Sequence, residues 1–354
     1  MAAPSLTGSV ADICLTLVAT PTPTGHEEPL TEAVLARCRA LEVPHERLGN
    51  AVVARTGGDG EPVALVGHLD TVPNWDGGGA ALEGERVVGR GASDMKGGVA
   101  VMLRLLDRFA RRGRPVVHVF YDREEGPHLE NGIHRVLEES RLLGRPGLAV
   151  VLEPTAGTIH AGAVGTLNAE VVFRGAAAHA ARPWEGRNAV TAGGPALLRF
   201  GARERRAVEV DGLTYYDVVT VTTAVGGAAR NVVPDRFALG VNVRYAPGRS
   251  AAEARAEVAA LAGPEAEIAW LDDAAAALPA LDAPAVAAFL RRTGLEVRPK
   301  QAWTDVATLS AAGIPAVNYG PGDPAQAHQR GEWVSVPAME RCEDVLAEFL
   351  TDGA

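Results

Sequence analysis

Two patterns of hydrophobic and polar positions divide the chain. In the first, short unbroken apolar runs occur at residues 63–66, 116–121, 148–152 and 315–319. Runs of this kind are typical of strands buried on both faces of a parallel sheet. Apolar residues recur at helical spacing between the runs, for example over about 6–19 and 27–41. This pattern predicts an α/β domain built on a doubly wound, mostly parallel sheet.

The second pattern is an alternation of apolar and polar residues, found at 167–173, 219–225 and 237–245. Such alternation is typical of an antiparallel sheet with one covered face. Helices predicted at about 188–206 and 251–262 and a last strand at 265–271 complete a β-α-β-β-α-β order. We therefore expect a ferredoxin-like domain at 166–275, inserted into a discontinuous first domain of residues 1–165 and 276–354.

Residues that carry chemistry follow the buried strands of the first domain. The run at 63–66 leads into His68-Leu-Asp70, and the run at 116–121 leads into Glu124-Glu125. A single histidine at a strand end is more often structural than a ligand, and adjacent carboxylates are usually a solvated turn. Here several endings of this kind recur, and open parallel sheets place their sites at the carboxyl ends of strands. The residues expected to converge are His68, Asp94, Glu125, Glu153 and His328, with Asp70 and Glu124 beside them.

Two imidazoles and three carboxylates suit a pair of zinc ions with one bridging carboxylate. The charges nearly cancel once a hydroxide is added, and metal coordination lowers the pKa of water from about 15.7 toward 7. Glu124 is adjacent to a ligand but is not needed as one. It is therefore free to take the proton of the water and to pass it to a leaving nitrogen. The cluster predicts hydrolysis of an amide.

Five motifs carry a family resemblance: His-Leu-Asp-Thr-Val-Pro at 68–73, Gly-Arg-Gly-Ala-Ser-Asp-Met-Lys-Gly-Gly at 89–98, Glu-Glu at 124–125, Glu-Pro at 153–154, and the late His328. In this order, over nearly the whole chain, they resemble the co-catalytic zinc metallopeptidase and deacylase family. That family includes acetylornithine deacetylase, carboxypeptidases and succinyl-diaminopimelate desuccinylase.

Within the family, segments 20–27, 303–307 and 318–328 most resemble the actinobacterial type of desuccinylase. The resemblance implies hydrolysis of N-succinyl-L,L-2,6-diaminopimelate to succinate and L,L-2,6-diaminopimelate, a step that serves lysine and cell-wall synthesis. The alternatives are another N-acyl amino acid deacylase, such as an acetylornithine deacetylase, a dipeptidase or carboxypeptidase of the same family, and a non-catalytic binding protein that keeps the fold. The complete ligand set and Glu124 speak against a binding protein.

The resemblance also implies a role for each site residue. It makes His68 and Glu153 ligands of one Zn²⁺ ion and Glu125 and His328 ligands of a second, with Co²⁺ as a substitute metal. Asp94 would bridge the two ions, Asp70 would support His68, and Glu124 would be the general base.

The inserted domain would be the dimerisation domain of a homodimer. His179 matches a position that reaches into the partner subunit's site and stabilises the oxyanion, and Asn231 and Arg244 match positions that hold substrate. Arg244 lies opposite the apolar face of its strand, where an arginine is equally well a solvated one. Residues 163–166 lack the basic residue that many desuccinylases have there, so Arg182 or Arg230 is left as the candidate for the succinyl carboxylate.

The net charge and the cysteine content indicate which binding partners can be excluded and which cellular compartment is expected. The formal net charge of -10 argues against nucleic acid or an anionic membrane as a partner, because both require a basic surface. A local group of arginines can still capture a small anionic substrate. Three scattered cysteines fit a reducing cytosol, and no apolar run is long enough to span a membrane. We therefore expect a cytoplasmic enzyme.

Overall fold

The computed structural model describes residues 4–58, 60–74, 77–111 and 113–351. The outermost residues of the predicted first domain, 1–3 and 352–354, lie outside this range. The chain forms two compact units. The first comprises Met1–Gly162, Ala280–Arg298 and Thr304–Ala354, and the second comprises Ala163–Pro279 and Pro299–Trp303.

The helices, in chain order, are α1 (Val10–Val18), α2 (Glu28–Ala40), α3 (Gly97–Phe109), α4 (Gly132–Glu139), α5 (Ala189–Gly201), α6 (Ala251–Ala262), α7 (Pro284–Thr293), α8 (Val306–Ala311) and α9 (Val336–Thr351). The strands are β1 (His45–Leu48), β2 (Ala51–Thr56), β3 (Val63–His68), β4 (Ala81–Glu83), β5 (Arg86–Val88), β6 (Val116–Tyr121), β7 (Leu148–Val151), β8 (Ile159–Ala161), β9 (Gly165–Arg174), β10 (Arg206–Val210), β11 (Leu213–Gly226), β12 (Arg236–Tyr245), β13 (Glu267–Ala274), β14 (Val297–Pro299), β15 (Ala316–Asn318) and β16 (Trp333–Ser335).

The first unit is organised around a sheet with the strand order β1-β2-β6-β3-β7-β15-β8-β14. Its four central strands, β6, β3, β7 and β15, are parallel to one another, and they are the four apolar runs of the sequence. Every residue of these strands is buried, because helices cover the sheet. The predicted α/β class with a mostly parallel sheet is confirmed.

Helix packing buries the core of this unit. Helices α1, α3 and α9 contact one another, while α2 and α4 contact the edge strand β1 and its neighbour β2. Helix α3 approaches the end of β7 so closely that a Cβ on Gly98 would lie 2.3 Å from the carbonyl oxygen of Leu152. Only glycine allows this approach, which brings the start of α3 next to the strand ends that carry the site residues.

The second unit contains an antiparallel sheet of order β10-β11-β12-β9-β13, with α5 and α6 packed on its apolar face. The strand β10 is absent from the sequence prediction, which extended the preceding helix to residue 206. Helix α5 ends at Gly201, and β10 forms a hairpin with β11 through Asp211-Gly212, both of which have positive φ. An Asp-Gly pair is a strong hairpin signal, but β10 is a largely exposed edge strand and lacks the apolar pattern that predicts the other strands.

A distant segment joins the second unit through one glutamine. The side chain of Gln301 accepts a hydrogen bond from the backbone N–H of Tyr216 at 2.9 Å and donates to its carbonyl at 2.7 Å. Gln301 thus binds both backbone polar groups of one residue of β11, and Pro299–Trp303 belongs to this unit. Among the described residues, no helix is both long and apolar enough to cross a membrane.

Candidate metal centre

The carboxyl ends of the parallel strands bring together residues that are far apart in sequence. His68 is the last residue of β3 and pairs in register with Tyr121, the last residue of β6. Glu124 and Glu125 follow in the turn after β6, and Glu153 follows β7, the other neighbour of β3. Asp94 lies in the loop that leads into α3, and His328 lies between β15 and β16. All of these residues belong to the first unit.

Two groups of potential ligands share Asp94. The first is His68, Asp94 and Glu153, and the second is Asp94, Glu125 and His328. Within each group the ligand atoms lie within 4.8 Å of one another. One carboxylate oxygen of Asp94 lies 3.4 Å from Nε2 of His68, and the other lies 3.6 Å from Nε2 of His328. A carboxylate that faces one imidazole with each oxygen is placed to bridge two cations.

In each group the imidazole Nε2 also lies close to a second carboxylate. Nε2 of His68 lies 3.9 Å from Oε1 of Glu153, and Nε2 of His328 lies 3.0 Å from Oε1 of Glu125. The five residues that the sequence predicts to converge lie side by side in the structure.

The buried Nε2 atom of His68 indicates that this centre fits a cation. Nε2 of His68 is fully buried and makes no hydrogen bond within the part of the chain that the structure describes. The other ring nitrogen, Nδ1, lies 3.0 Å from the backbone carbonyl oxygen of Asp70. If Nδ1 carries the proton and donates to this carbonyl, Nε2 keeps a lone pair that is directed between two carboxylates. A cation satisfies this arrangement, whereas a buried and unpaired acceptor is costly.

The carboxylate of Asp70 holds the next turn of the site. It accepts hydrogen bonds from the backbone N–H groups of Glu124 at 3.0 Å and Glu125 at 3.1 Å, and from the hydroxyl of Thr24 at 2.9 Å. Its Oδ1 also lies 3.5 Å from Nδ1 of His68, the ring that the family resemblance expects Asp70 to support. The hydrogen bonds show an additional task, which is to position the two consecutive glutamates.

The electrostatics of the centre favour a cation. Burial raises the pKa of Glu124 well above its usual range; the positive charge of His68 opposes this effect, and the neighbouring Glu153 and Glu125 reinforce it. Burial alone would lower the pKa of His68, but its interactions with Asp70 and Asp94 raise it well above normal. The hydrogen bond with Glu125 likewise raises the pKa of His328. Without a metal, protons must balance the clustered carboxylates, so bound cations would relieve the same repulsion.

Other buried residues support the centre and were missed by the sequence analysis. Asp305, which is fully buried, accepts hydrogen bonds from the hydroxyl of Tyr121 at 2.7 Å and from the amide of Asn131 at 2.8 Å. The ring of Tyr121 in turn packs edge-on against His68. Asp305 lies in segment 303–307, whose family resemblance is the feature of the sequence that could have identified it.

The remaining predicted residues lie in the second unit. His179 is exposed and pairs through its backbone with Val232, which places it beside Asn231. Arg182 is exposed and lies 3.6 Å from Glu185. Arg244 is on β12, on the face opposite to the buried residues Val241, Val243 and Tyr245. His179 and Asn231 are therefore neighbours, while Arg244 occupies a different part of the unit.

Comparisons with known proteins decide the family. The chain matches the family model described as peptidase family M20/M25/M40 over residues 64–352. The chain belongs to the M20 peptidase family. Among solved structures, the M20 metallo-carboxypeptidase Sso-CP2 of Sulfolobus solfataricus superimposes with a TM-score of 0.74 at 17% identity, over 97% of this chain and 99% of that one. That likeness shows a shared fold.

Curated relatives of this M20 chain are more similar to it in sequence than the Sso-CP2 structure is. A Mycobacterium tuberculosis protein provisionally named succinyl-diaminopimelate desuccinylase DapE is 40% identical over 349 residues, which covers 98% of this chain and 99% of the relative. The succinyl-diaminopimelate desuccinylase of Corynebacterium glutamicum is 35% identical, with 95% and 94% covered. The acetylornithine deacetylase of Myxococcus xanthus is 30% identical, with 90% of each chain covered. As an M20 member, the chain is a metal-dependent hydrolase, and the resemblance read from its motifs is confirmed.

Proposed function

We propose that this M20 hydrolase is a succinyl-diaminopimelate desuccinylase. The reaction is the hydrolysis of N-succinyl-L,L-2,6-diaminopimelate to succinate and L,L-2,6-diaminopimelate. Full-length similarity to proteins with this name supports the choice of substrate. The main observation in favour of metal-dependent amide hydrolysis is the pair of potential metal-ligand groups that share Asp94, with Glu124 beside them. An acetylornithine deacetylase is the second candidate, because a relative with that name also matches most of the chain.

The metals are proposed to be two Zn²⁺ ions. His68 and Glu153 would hold one ion, Glu125 and His328 would hold the other, and Asp94 would bridge them. Nitrogen and carboxylate donors in this ratio suit zinc, for which Co²⁺ is a common substitute. When bound, the ions would polarise the amide carbonyl and lower the pKa of water from about 15.7 toward 7.

Glu124 is proposed to move the proton. As the oxygen of water bonds to the amide carbon, Glu124 accepts the proton of the water, and it donates a proton to the nitrogen when the C–N bond breaks. A carboxylate with its usual low pKa would be a poor proton donor. Burial raises the pKa of Glu124, which suits a group that must both accept and donate. Asp70 holds the Glu124 backbone and so keeps the carboxylate in place.

The second unit is proposed to mediate a homodimer and to complete the site. Large apolar side chains are exposed on neighbouring elements of this unit, at Leu198 on α5 and Val225 on β11, and they are available to a partner surface. His179 of one subunit would donate to the oxyanion in the partner's site, and Asn231, Arg244 and Arg182 would hold the carboxylates of the substrate. The three cysteines are all free and buried, which supports a reducing cytoplasm.

The decisive experiment is a substrate panel with metal analysis. Purified protein is assayed with N-succinyl-L,L-2,6-diaminopimelate, N-acetyl-L-ornithine and dipeptides, and bound zinc is counted by atomic emission. We expect the highest kcat/KM on the succinylated substrate and two zinc ions per chain. A Glu124→Gln preparation, purified identically, measures hydrolysis by contaminating host enzymes.

The substrate, the metal pair and the dimer can each be refuted by a separate result. A higher kcat/KM on acetylornithine or on a dipeptide would refute the substrate. A single zinc ion at full activity would refute the bridged pair. A monomeric mass in light scattering at full activity would refute the completed site.

A further inference from the structure

A buried carboxylate outside the ligand set organises the loop that carries Asp94. Glu332 immediately precedes β16 and is only 2% exposed. Its Oε1 accepts hydrogen bonds from the backbone N–H groups of Ser93 and Asp94, each at 2.9 Å. Its Oε2 accepts from the backbone N–H of Gly91 at 2.9 Å and from Nη1 of Arg90 at 3.2 Å. Both oxygens of Glu332 are therefore occupied by donors from one short loop.

This pattern explains how an irregular loop is held in one conformation. Gly91 has a left-handed backbone with φ of 79°, and Asp94 departs from helical geometry with φ of -121° and ψ of 96°. The N–H groups of such a loop have no regular partners, and a buried N–H without an acceptor is costly. One carboxylate supplies acceptors for three of these groups, and charge-assisted hydrogen bonds of this kind are stronger than neutral ones.

The same contacts connect the loop to the segment that carries His328. Nη1 of Arg90 also donates to the carbonyl of Gln329 at 3.1 Å, and the hydroxyl of Ser93 donates to the carbonyl of Asp323 at 2.9 Å. His328 lies between these two anchor points and has an unusual positive φ of 62°. The distance between Asp94 and His328 is thus set through contacts that surround Glu332.

We propose that Glu332 is a positioning residue that fixes the bridging carboxylate of Asp94 relative to His328, and so sets the affinity of the metal position formed by Asp94, Glu125 and His328. This inference rests on the proposed two-metal function. Glu332 itself is not a ligand, because both of its oxygens already accept hydrogen bonds and Arg90 balances its charge. It acts through Asp94.

The test compares Glu332→Gln with the wild type and with Glu340→Gln, a matched control at an exposed position on α9. The amide keeps the size of the side chain, but its NH₂ group faces N–H donors and cannot accept from them. Zinc affinity is measured by competition with a chromogenic chelator, and kcat and KM are measured at buffered free zinc. For Glu332→Gln we expect the metal position formed by Asp94, Glu125 and His328 to lose about 10-fold to 100-fold in affinity, so that at least one of the two zinc ions is bound more weakly than in the wild type. We also expect a lower kcat with KM within about 2-fold of the wild type, and Glu340→Gln should match the wild type in every quantity.

The outcomes separate this inference from the proposed function. Wild-type zinc affinity at both sites of Glu332→Gln, with or without a lower melting temperature, would show that Glu332 serves only the fold and would overturn the inference alone. A wild-type protein that binds fewer than two zinc ions would overturn the proposed metal pair together with the inference. If Glu332→Gln does not fold, Glu332→Asp carries the same test, because it keeps the charge but shortens the reach by one methylene. Wild-type affinity in Glu332→Asp would likewise overturn the inference.

Discussion

A buried histidine far from the metal centre gives a quantitative prediction for stability. His118 lies in the middle of β6, between β2 and β3, and is completely buried. Its Nε2 lies 3.4 Å from the hydroxyl of Thr56, and its Nδ1 has no hydrogen-bond partner in the described ranges of the chain. Burial lowers the pKa of His118 from 6.5 to about 3. The ring is therefore neutral in the folded protein over the whole physiological range.

The sign of the pH effect follows from which state binds the proton. Below pH 6.5 the unfolded chain protonates this histidine, whereas the folded chain does not until the pH approaches 3. Protonation therefore favours the unfolded state, and stability falls as the pH falls. With 1.36 kcal/mol per pKa unit, His118 removes about 2 kcal/mol from the free energy of unfolding between pH 7 and pH 5.

The assay is urea unfolding of metal-free protein at pH 7, 6 and 5, followed by circular dichroism. The wild type is compared with His118→Leu, which cannot titrate, and with His26→Leu, which removes an exposed histidine. Titrations of other groups occur in all three proteins and cancel in the differences. The free energy of unfolding of the wild type should fall by about 2 kcal/mol more than that of His118→Leu between pH 7 and pH 5, and His26→Leu should follow the wild type. Parallel curves for wild type and His118→Leu would refute the reasoning.

Three further predictions concern the site and its scaffold. Glu124→Gln should lower kcat by about 10²-fold to 10⁴-fold while zinc stays bound, because the variant loses the group that carries the proton and keeps the metal ligands. The control is Glu139→Gln, at an exposed position on α4. Unchanged turnover in Glu124→Gln would show that Glu124 is not the general base. His179→Ala should lower kcat by roughly 10²-fold, and co-expression with Glu124→Gln should restore activity, because a mixed dimer contains one complete site; no recovery would contradict a residue supplied by the partner subunit. Gly98→Ala should lower the free energy of unfolding by about 1–3 kcal/mol, because its Cβ would lie 2.3 Å from a backbone oxygen. Gly194→Ala in α5 has no neighbour within 4 Å and should be neutral or stabilising in a urea titration, so equal effects at the two positions would contradict the steric explanation.

The central strands could be predicted because their environment leaves a local mark on the sequence. Strands β3, β6, β7 and β15 are covered on both faces, so every position is apolar and the run is easily recognised. The edge strand β10 has mostly exposed or half-buried residues, and no such periodicity marks it. Its turn, Asp211-Gly212, carries the signal that the apolar pattern lacks.

The convergence of the site residues could also be predicted, but only in part. Because parallel neighbours end at one edge of a sheet, His68 and Glu153 were expected to meet. Asp94 and His328 arrive on irregular loops, and no local pattern states that one carboxylate faces both imidazoles. The hydrogen bonds that Asp70 accepts from the backbone N–H groups of Glu124 and Glu125 were likewise not predicted, since they depend on how two loops meet.

The sequence by itself determined the class of fold, the family and the residues from which a metal centre can be built. These properties are encoded locally, in the period of apolar positions and in short motifs at strand ends. Only the tertiary structure decided how those residues are held. The hydrogen bond from Asp94 to Glu332 joins positions 238 residues apart, and neither residue type nor spacing reveals such a partner. Geometry of this kind arises when packed elements bring distant polar groups together and burial forces each of them to find a partner.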